Sequence, residues 1–376
     1  MLKKISIASL ITLSTYCTLY ISPSYAGQQE ATKAFEQLLE DHWKNANQEQ
    51  IFFRKDPDAF RMNGELPDMS AEGRKRRAAF NRTMLKRLAS IDLSKLSVDD
   101  QVTYRLFKYE RETEAKSYQQ LDHYYPMNYY SGFHSYFAGA PANMSFLTRA
   151  DYDNYLVSLA DYPRYNNEHI TTLKQAISAG HTHFCASFKH YDKSISKHII
   201  EDAKDSVFYA PLLNMPANFS EADKQSYQSQ AKDLIKRKVI PEYQRFYDFF
   251  TKDYMTKCRQ TVGVSDLAGG KDYYQYLIEF YTTTDMTADE IHQLGLDEVK
   301  RIRKEMETIK HQVAFQGDMK AFIEFLRTDP KFYTDNALDL IEKASYIARK
   351  MAAQLPKWFS LLPRATFDIK SSPNGG

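Results

Sequence analysis

The chain has 376 residues, with 50 Lys and Arg against 48 Asp and Glu, 13 glycines and three cysteines. That length can bury a sizeable core, as one large domain or two merged lobes, and so few cysteines exclude a disulfide scaffold. The even charge balance argues against nucleic acid as a partner, because neutralising phosphates needs a basic surplus or patch.

Residues 1–26 read as a secretory signal. Lys3 and Lys4 form the positive region, Ile5 to Ile21 is uncharged, and Ser24 and Ala26 are small residues at −3 and −1 of a cleavage site after Ala26. The uncharged stretch is short and diluted by Ser and Thr, so cleavage is favoured over a retained anchor. Cys17 follows Ser14-Thr15-Tyr16, which lacks the apolar −3 residue of a lipoprotein signal. The mature chain, 27–376, is therefore expected in the periplasm or outside the cell, without stable membrane insertion. Cys185 and Cys258 remain in it. An oxidising compartment lets them pair, although sequence alone does not place them within bridging distance.

The basic run Arg74-Lys75-Arg76-Arg77 lies among Glu72 and apolar residues on a predicted helix and reads as a solvated face. Helix starts recur as Ser or Thr with an acid three residues on, which satisfies exposed N–H groups. Ser97 with Asp100 opens one helix. Thr148 with Asp151 opens another that runs to a Gly180 stop. Ser220 with Asp223 opens a long one toward Met255, with a kink expected at Pro241, and Thr287 with Glu290 opens the clearest. No run alternates cleanly as a strand would, and no fixed-period repeat appears. The predicted fold class is all-α.

The helix predicted from Ala288 to about Phe315 carries Val299, Ile302, Met306, Ile309 and Val313 as one apolar stripe. Extended backwards, the stripe reaches Gly295, where a neighbouring helix could approach closely, and places His292 near the buried face. Two loops stand out. Tyr124–Phe137 combines Pro126 and Gly132 with five tyrosines and His134, a composition suited either to a pocket for a polar ligand or to an aromatic plug. Gly263–Tyr274 places Gly269-Gly270 before a helix, where backbone N–H groups can meet an anion or carbonyl, or make a plain tight turn.

None of the ten histidines starts a His-Glu-x-x-His. His181 and His183, with His190 and His198 downstream, read as a surface cluster, since positions i and i+2 of a helix face different sides. No Gly-x-Ser-x-Gly elbow or cysteine-nucleophile motif is present.

At the second loop the order of short motifs becomes informative. Cys258-Arg259-Gln260-Thr261-Val262-Gly263, Gly269-Gly270-Lys271-Asp272-Tyr273-Tyr274, Tyr281-Thr282-Thr283-Thr284 and Glu290–Val299 are followed by Phe325–Tyr333, Leu355-Pro356 and Leu362-Pro363-Arg364. With Asp151–Tyr165 and Ser206–Pro211, this string resembles the bacterial family catalogued as domain of unknown function 885. The resemblance implies an exported helical protein of zinc-peptidase type, with a gluzincin-like cleft. It also implies Zn²⁺ in full-length relatives, held by a histidine motif beyond the Leu-Pro-Arg segment. This chain stops at Gly376, so the reading is a truncated member, inactive alone, with no metal or catalytic residue carried over. Its expected contribution is one wall of the cleft for a peptide substrate, with Tyr129, Tyr130, His134, Gly269, Gly270 and Tyr274 as candidate substrate contacts. Two alternatives stand beside it: a non-enzymatic helical binding protein, and a lyase using a tyrosine hydroxyl at a sugar carbon.

Overall fold

The structure, a computed structural model, describes residues 23–49 and 64–370. The signal segment up to residue 22, with Cys17, and the last residues, 371–376, lie outside the described residues. Among the described residues the secondary structure is helical, apart from two isolated bridges. No described helix is long and apolar enough to cross a membrane.

Side-chain caps set several of the helix starts. Up to Asp285 the α-helices are α1 Pro23–Glu49, α2 Ala71–Ala89, α3 Val98–Ser117, α4 Phe133–Gly139, α5 Arg149–Ala179, α6 Asp192–Ser196, α7 Glu221–Leu234, α8 Ile240–Phe249 and α9 Gly270–Thr282. Ser97 accepts from the Asp100 N–H, and Thr148 and Asp151 close a reciprocal capping box. Gly180 ends α5 in the left-handed region at φ 74°. From Glu221 to Lys257 the chain stays helical through Pro241, because a π-helical segment, Ile235–Val239, precedes the proline. The wider turn accommodates a ring that has no N–H to give and would crowd the carbonyl four residues back.

Helix α5 organises the larger unit. Tyr152, Tyr155, Leu159, Tyr162, Asn166, His169, Leu173 and Ala176 are all buried and recur at alternating spacings of three and four, so one face of the helix is core throughout. Tyr243, Phe246 and Phe250 from the α8 segment meet this face, with Tyr162 stacked on Tyr243 at 5.3 Å. Several hydroxyls of this aromatic core are tied to the main chain of the segments packed over it. Tyr155 donates to Phe208 O at 2.6 Å, Tyr243 to His134 O at 2.7 Å and Tyr191 to Ser131 O at 2.9 Å. A second cluster joins α1, α2 and α3 through Phe35, Leu38, Met84, Leu88 and Phe107.

Three expectations need correction or completion here. The histidines at 181, 183 and 198 are not a surface cluster. His181 and His198 are buried, and the His183 Nε2–H donates to Met127 O at 2.8 Å while Nδ1 accepts from Tyr254 Oη. The segment is a loop with a bridge from Phe184 to Arg259, so helical spacing never applied. That bridge brings Cys185 and Cys258 together as a disulfide, with Cα atoms 5.2 Å apart. Finally, His292 is exposed, and a side chain at Gly295 would meet nothing within 4 Å.

From Met286 onward the chain forms a smaller unit of α10 Ala288–Gln312, α11 Met319–Thr328, α12 Ala337–Ala352 and α13 Leu355–Trp358. Thr287 and Glu290 close a second capping box. Phe315, Phe322 and Phe325 pack at 5.1 Å from Phe315 to each of the others. The predicted stripe of α10 forms but is not covered. Val299, Ile302 and Ile309 are exposed, as are Leu340, Ile347 and Met351 on α12.

The disulfide closes a span of 73 residues, so reduction, or Cys185→Ser with Cys258→Ser, should lower unfolding stability by about 2–4 kcal/mol in urea melts. An unchanged midpoint would show that the crosslink constrains nothing. Two glycine substitutions should act with opposite signs. A Cβ at Gly270 would lie 1.8 Å from Val264 O, so Gly270→Ala should cost about 1–3 kcal/mol. Gly295→Ala, with open space on a helix, should stabilise by about 0.5–1 kcal/mol in the same melts.

Candidate functional site

A cleft of about 750 Å³ opens in the larger unit between α2, the end of α3, the first aromatic loop and α5. Its position follows from a polar ladder on α5. Asp161 accepts from Leu66 N at 2.9 Å, Glu168 accepts from Met69 N at 2.8 Å, and Arg164 bonds both carboxylates and Leu66 O. The segment leading into α2 is thereby pinned along α5. Asp68 then accepts from Ser70 N and pairs with Arg76 at 2.9 Å, while Ser70 caps α2 by accepting from Gly73 N. Burial works to raise the Asp68 pKa, but the bonds from Ser70 and Arg76 win and hold it at about 2.

The cleft is cationic on one side and aromatic on the other. Arg74, Lys75, Arg77 and Arg82 line it from α2, and among its lining residues Asp122 is the acidic side chain. Arg74 donates to Tyr118 O at 2.6 Å and lies 5.8 Å over the Tyr118 ring, and Arg77 donates to Asp68 O at 2.6 Å. Main-chain carbonyls orient these guanidinium groups. Burial, and then the positive charge of Arg74, push the His123 pKa below its usual range. On the aromatic side Phe133 stacks on His169 at 4.2 Å, with Tyr165 edge-on to that histidine at 4.6 Å.

His169 is buried, lines the cleft, and has no hydrogen-bond partner for Nε2. Burial drives its pKa down to about 3, with His134 adding to the effect. His134 itself goes to about 3, chiefly through burial, and His183 and His198 to about 4 for the same reason. All four are neutral imidazoles at pH 7.

The six residues singled out in the sequence occupy different settings. Asn128 Oδ1 accepts from the N–H groups of Tyr130 and Ser131, making a tight tip between the bridged Met127 and Gly132. Tyr129 and Tyr130 stand out from this tip, 74% and 84% exposed. Tyr136 connects the tip to the cleft, because its hydroxyl lies 3.0 Å from Ser131 Oγ and its ring lines the cavity. His134 is enclosed. Ser194 Oγ donates to Tyr191 O, and so accepts from His134 Nε2 at 2.9 Å, which leaves His134 Nδ1 unpartnered. Gly269, at φ +70°, and Gly270 make the turn into α9, where Tyr274 is exposed. Tyr273, next to it, reaches Asp122 of the cleft at 2.7 Å.

The α2 cations were legible only as a solvated run. What identifies them as cleft residues is the ladder on α5, which depends on contacts almost a hundred residues apart in the chain.

The sequence shows a family, and the fold has a likeness among solved structures. The chain belongs to the family described as bacterial protein of unknown function, DUF885, whose profile matches residues 52–374. Its fold is similar to the crystal structure of "the putative lipoprotein from Colwellia psychrerythraea", at 18% identity and a TM-score of 0.71, over 94% of this chain and 63% of that one. This chain thus spans just under two thirds of that relative's length. No curated protein matches the sequence.

The four buried histidines make stability fall with acid. Their folded pKa values lie below the unfolded value of about 6.5, so the unfolded chain binds more protons once pH drops below it. Their contribution is intact above about pH 6.5 and declines toward pH 4, at roughly 1.4 kcal/mol per pH unit for each fully shifted histidine. Thermal melts from pH 7.5 down to 4 should show a steep drop in Tm beginning near 6.5. A flat profile down to pH 5 would contradict it.

Proposed function

We propose that this chain provides the substrate-binding wall of an exported, peptidase-like protein, and that its cleft receives an extended peptide. The observation that carries the reading is the cleft itself, with its oriented cations and the exposed ring of Tyr136, whose hydroxyl meets Ser131 of the exposed tyrosine tip. Aromatic rings offer broad apolar contact with a polar edge, which suits a peptide backbone and mixed side chains. In this reading Tyr129, Tyr130 and Tyr274 present contact surface. His134, Gly269 and Gly270 hold the loops that carry it. The Cys185–Cys258 disulfide supports export, since such bonds persist in oxidising compartments.

The zinc expected in longer relatives does not find a matching donor set here. Among the described residues no three His, Cys, Asp or Glu side chains converge as metal ligands. The buried histidines are also committed to aromatic neighbours. His169 lies against Phe133 and Tyr165, and His198 against Tyr243 at 4.9 Å. No bond-breaking step is therefore assigned to these side chains, and the function proposed for them is binding.

Fluorescence anisotropy with a labelled library of short peptides would test the proposal on the full chain. Tyr129→Ala with Tyr130→Ala should weaken binding by roughly fivefold to tenfold, about 1–1.4 kcal/mol, with helical content unchanged. A well-folded chain that binds no member of the library would sink the reading.

A further inference from the structure

A second cavity of the larger unit, of about 320 Å³, shares no lining residue with the cleft. It lies between one face of α3 and one face of α9. Tyr109, Thr113 and Lys116 line it from α3 at spacings of four and three, and Tyr276, Glu279, Phe280 and Thr283 line it along α9 at the same helical period. Thr284 and Asp285 complete the lining. The two walls are tied together, because Lys116 pairs with Glu279 at 2.7 Å and Tyr273 of α9 donates to Asp122, just beyond α3, at 2.7 Å. Lys116 and Glu279 answer one another, so both count as framework. Tyr276 is buried and counts the same way.

The groups left open to a ligand are of two kinds. Tyr109 and Phe280, one from each wall, are 45% and 46% exposed, so their rings can be reached. The Tyr109 hydroxyl, the Thr113 and Thr283 hydroxyls and the Asp285 carboxylate have no hydrogen-bond or ionic partner among the described residues. Thr283 carries a further signal. It ends α9 at φ 56°, in the left-handed region, where the corresponding position of α5 holds Gly180. A β-branched residue is strongly disfavoured there. Glycine would make the same turn without strain, and what threonine adds is a hydroxyl at the cavity.

These groups narrow the ligand. Hydroxyls both donate and accept, the carboxylate accepts, and exposed rings offer an apolar face. An apolar ligand would leave the hydroxyls and Asp285 unanswered. An anion would meet Asp285 with no free cation in the lining to offset it. A compact cation would answer Asp285 and the rings but leave three hydroxyls unused. A pyranose ring presents C–H groups on its faces and hydroxyls at its edge, which matches both kinds of group together. The volume, at the lower end for small-ligand sites, suits one or two such rings.

We infer that this cavity binds a neutral saccharide, with a sugar ring against Tyr109 and Phe280 and its hydroxyls on Thr113, Thr283 and Asp285. The site is separate from the cleft and does not rest on the peptide reading.

The experiment is isothermal titration calorimetry on the full chain with cellotetraose and the N-acetylglucosamine tetramer as neutral probes, tetragalacturonate as the anionic one and tetramethylammonium as the cationic one. At least one neutral tetrasaccharide should bind, at least about tenfold tighter than tetragalacturonate. Tyr109→Ala with Phe280→Ala should weaken that binding by at least about tenfold, with helical content unchanged. Thr283→Gly keeps the turn, so it should raise Tm while weakening the saccharide about threefold or more. A threonine with only a structural role would give the first effect without the second. Tyr346→Ala, an exposed ring of the smaller unit, should bind as the parent does. Unchanged affinity in either cavity variant overturns the inference. So does a folded chain that binds neither neutral tetrasaccharide, or that binds tetramethylammonium alone. None of these results touches the peptide reading of the cleft.

Discussion

The tyrosine hydroxyls on and around α5 are the constraint on which the larger unit depends. A helical core packed with Phe alone would bury comparable area but would leave the loop carbonyls over it without donors, at a cost of about 1–3 kcal/mol each. Here Tyr155 and Tyr191 supply those donors to Phe208 and Ser131, and Tyr243 ties the first turn of α4 to the same core at His134 O. The irregular segments are therefore fixed to the core by hydrogen bonds as well as by packing. The aromatic tip at Tyr129 and Tyr130 can stand exposed because the turn beneath it is anchored through Tyr191.

The same logic extends to the cleft. Its cationic side belongs to α2, which packs with α1 and α3 in a separate cluster, while its aromatic side belongs to α4 and α5. Asp161, Arg164 and Glu168 hold the two sides in register by engaging the main chain at residues 66–69. These contacts are partly exposed, and each alone contributes modestly. Together they bond several main-chain groups of one short segment, so loosening them would move all four cleft cations at once.

How much of this was legible in the sequence depends on the range of the interaction. Caps at Ser97, Thr148, Ser220 and Thr287 are local chemistry, set within three residues, and the all-α architecture follows from them and from the buried spacing of α5. The stripe on α10 was also legible, but its burial was not, because periodicity marks an apolar face without saying what covers it. The histidines at 181 and 183 misled for a related reason: their loop is shaped by a bridge to Arg259 and by Tyr254, more than seventy residues away. In the first aromatic loop, composition left a ligand pocket and an aromatic plug both open. Which of its rings line the cavity was decided by the turn at Asn128, which turns Tyr129 and Tyr130 outward while Phe133 and Tyr136 fall at the cleft.

The buried histidines are poorly matched to proton exchange at neutral pH. General acid–base catalysis works best with a group whose pKa lies near the working pH. Burial takes His134 and His169 to about 3, well away from that range, and leaves each with one ring nitrogen unpartnered. Such imidazoles act as polar members of an aromatic core, able to donate or accept one hydrogen bond but not to exchange a proton at neutral pH. At His169, which sits in the cleft wall, the unpartnered Nε2 is itself buried. The binding function proposed for this unit therefore asks nothing of these histidines as acids or bases.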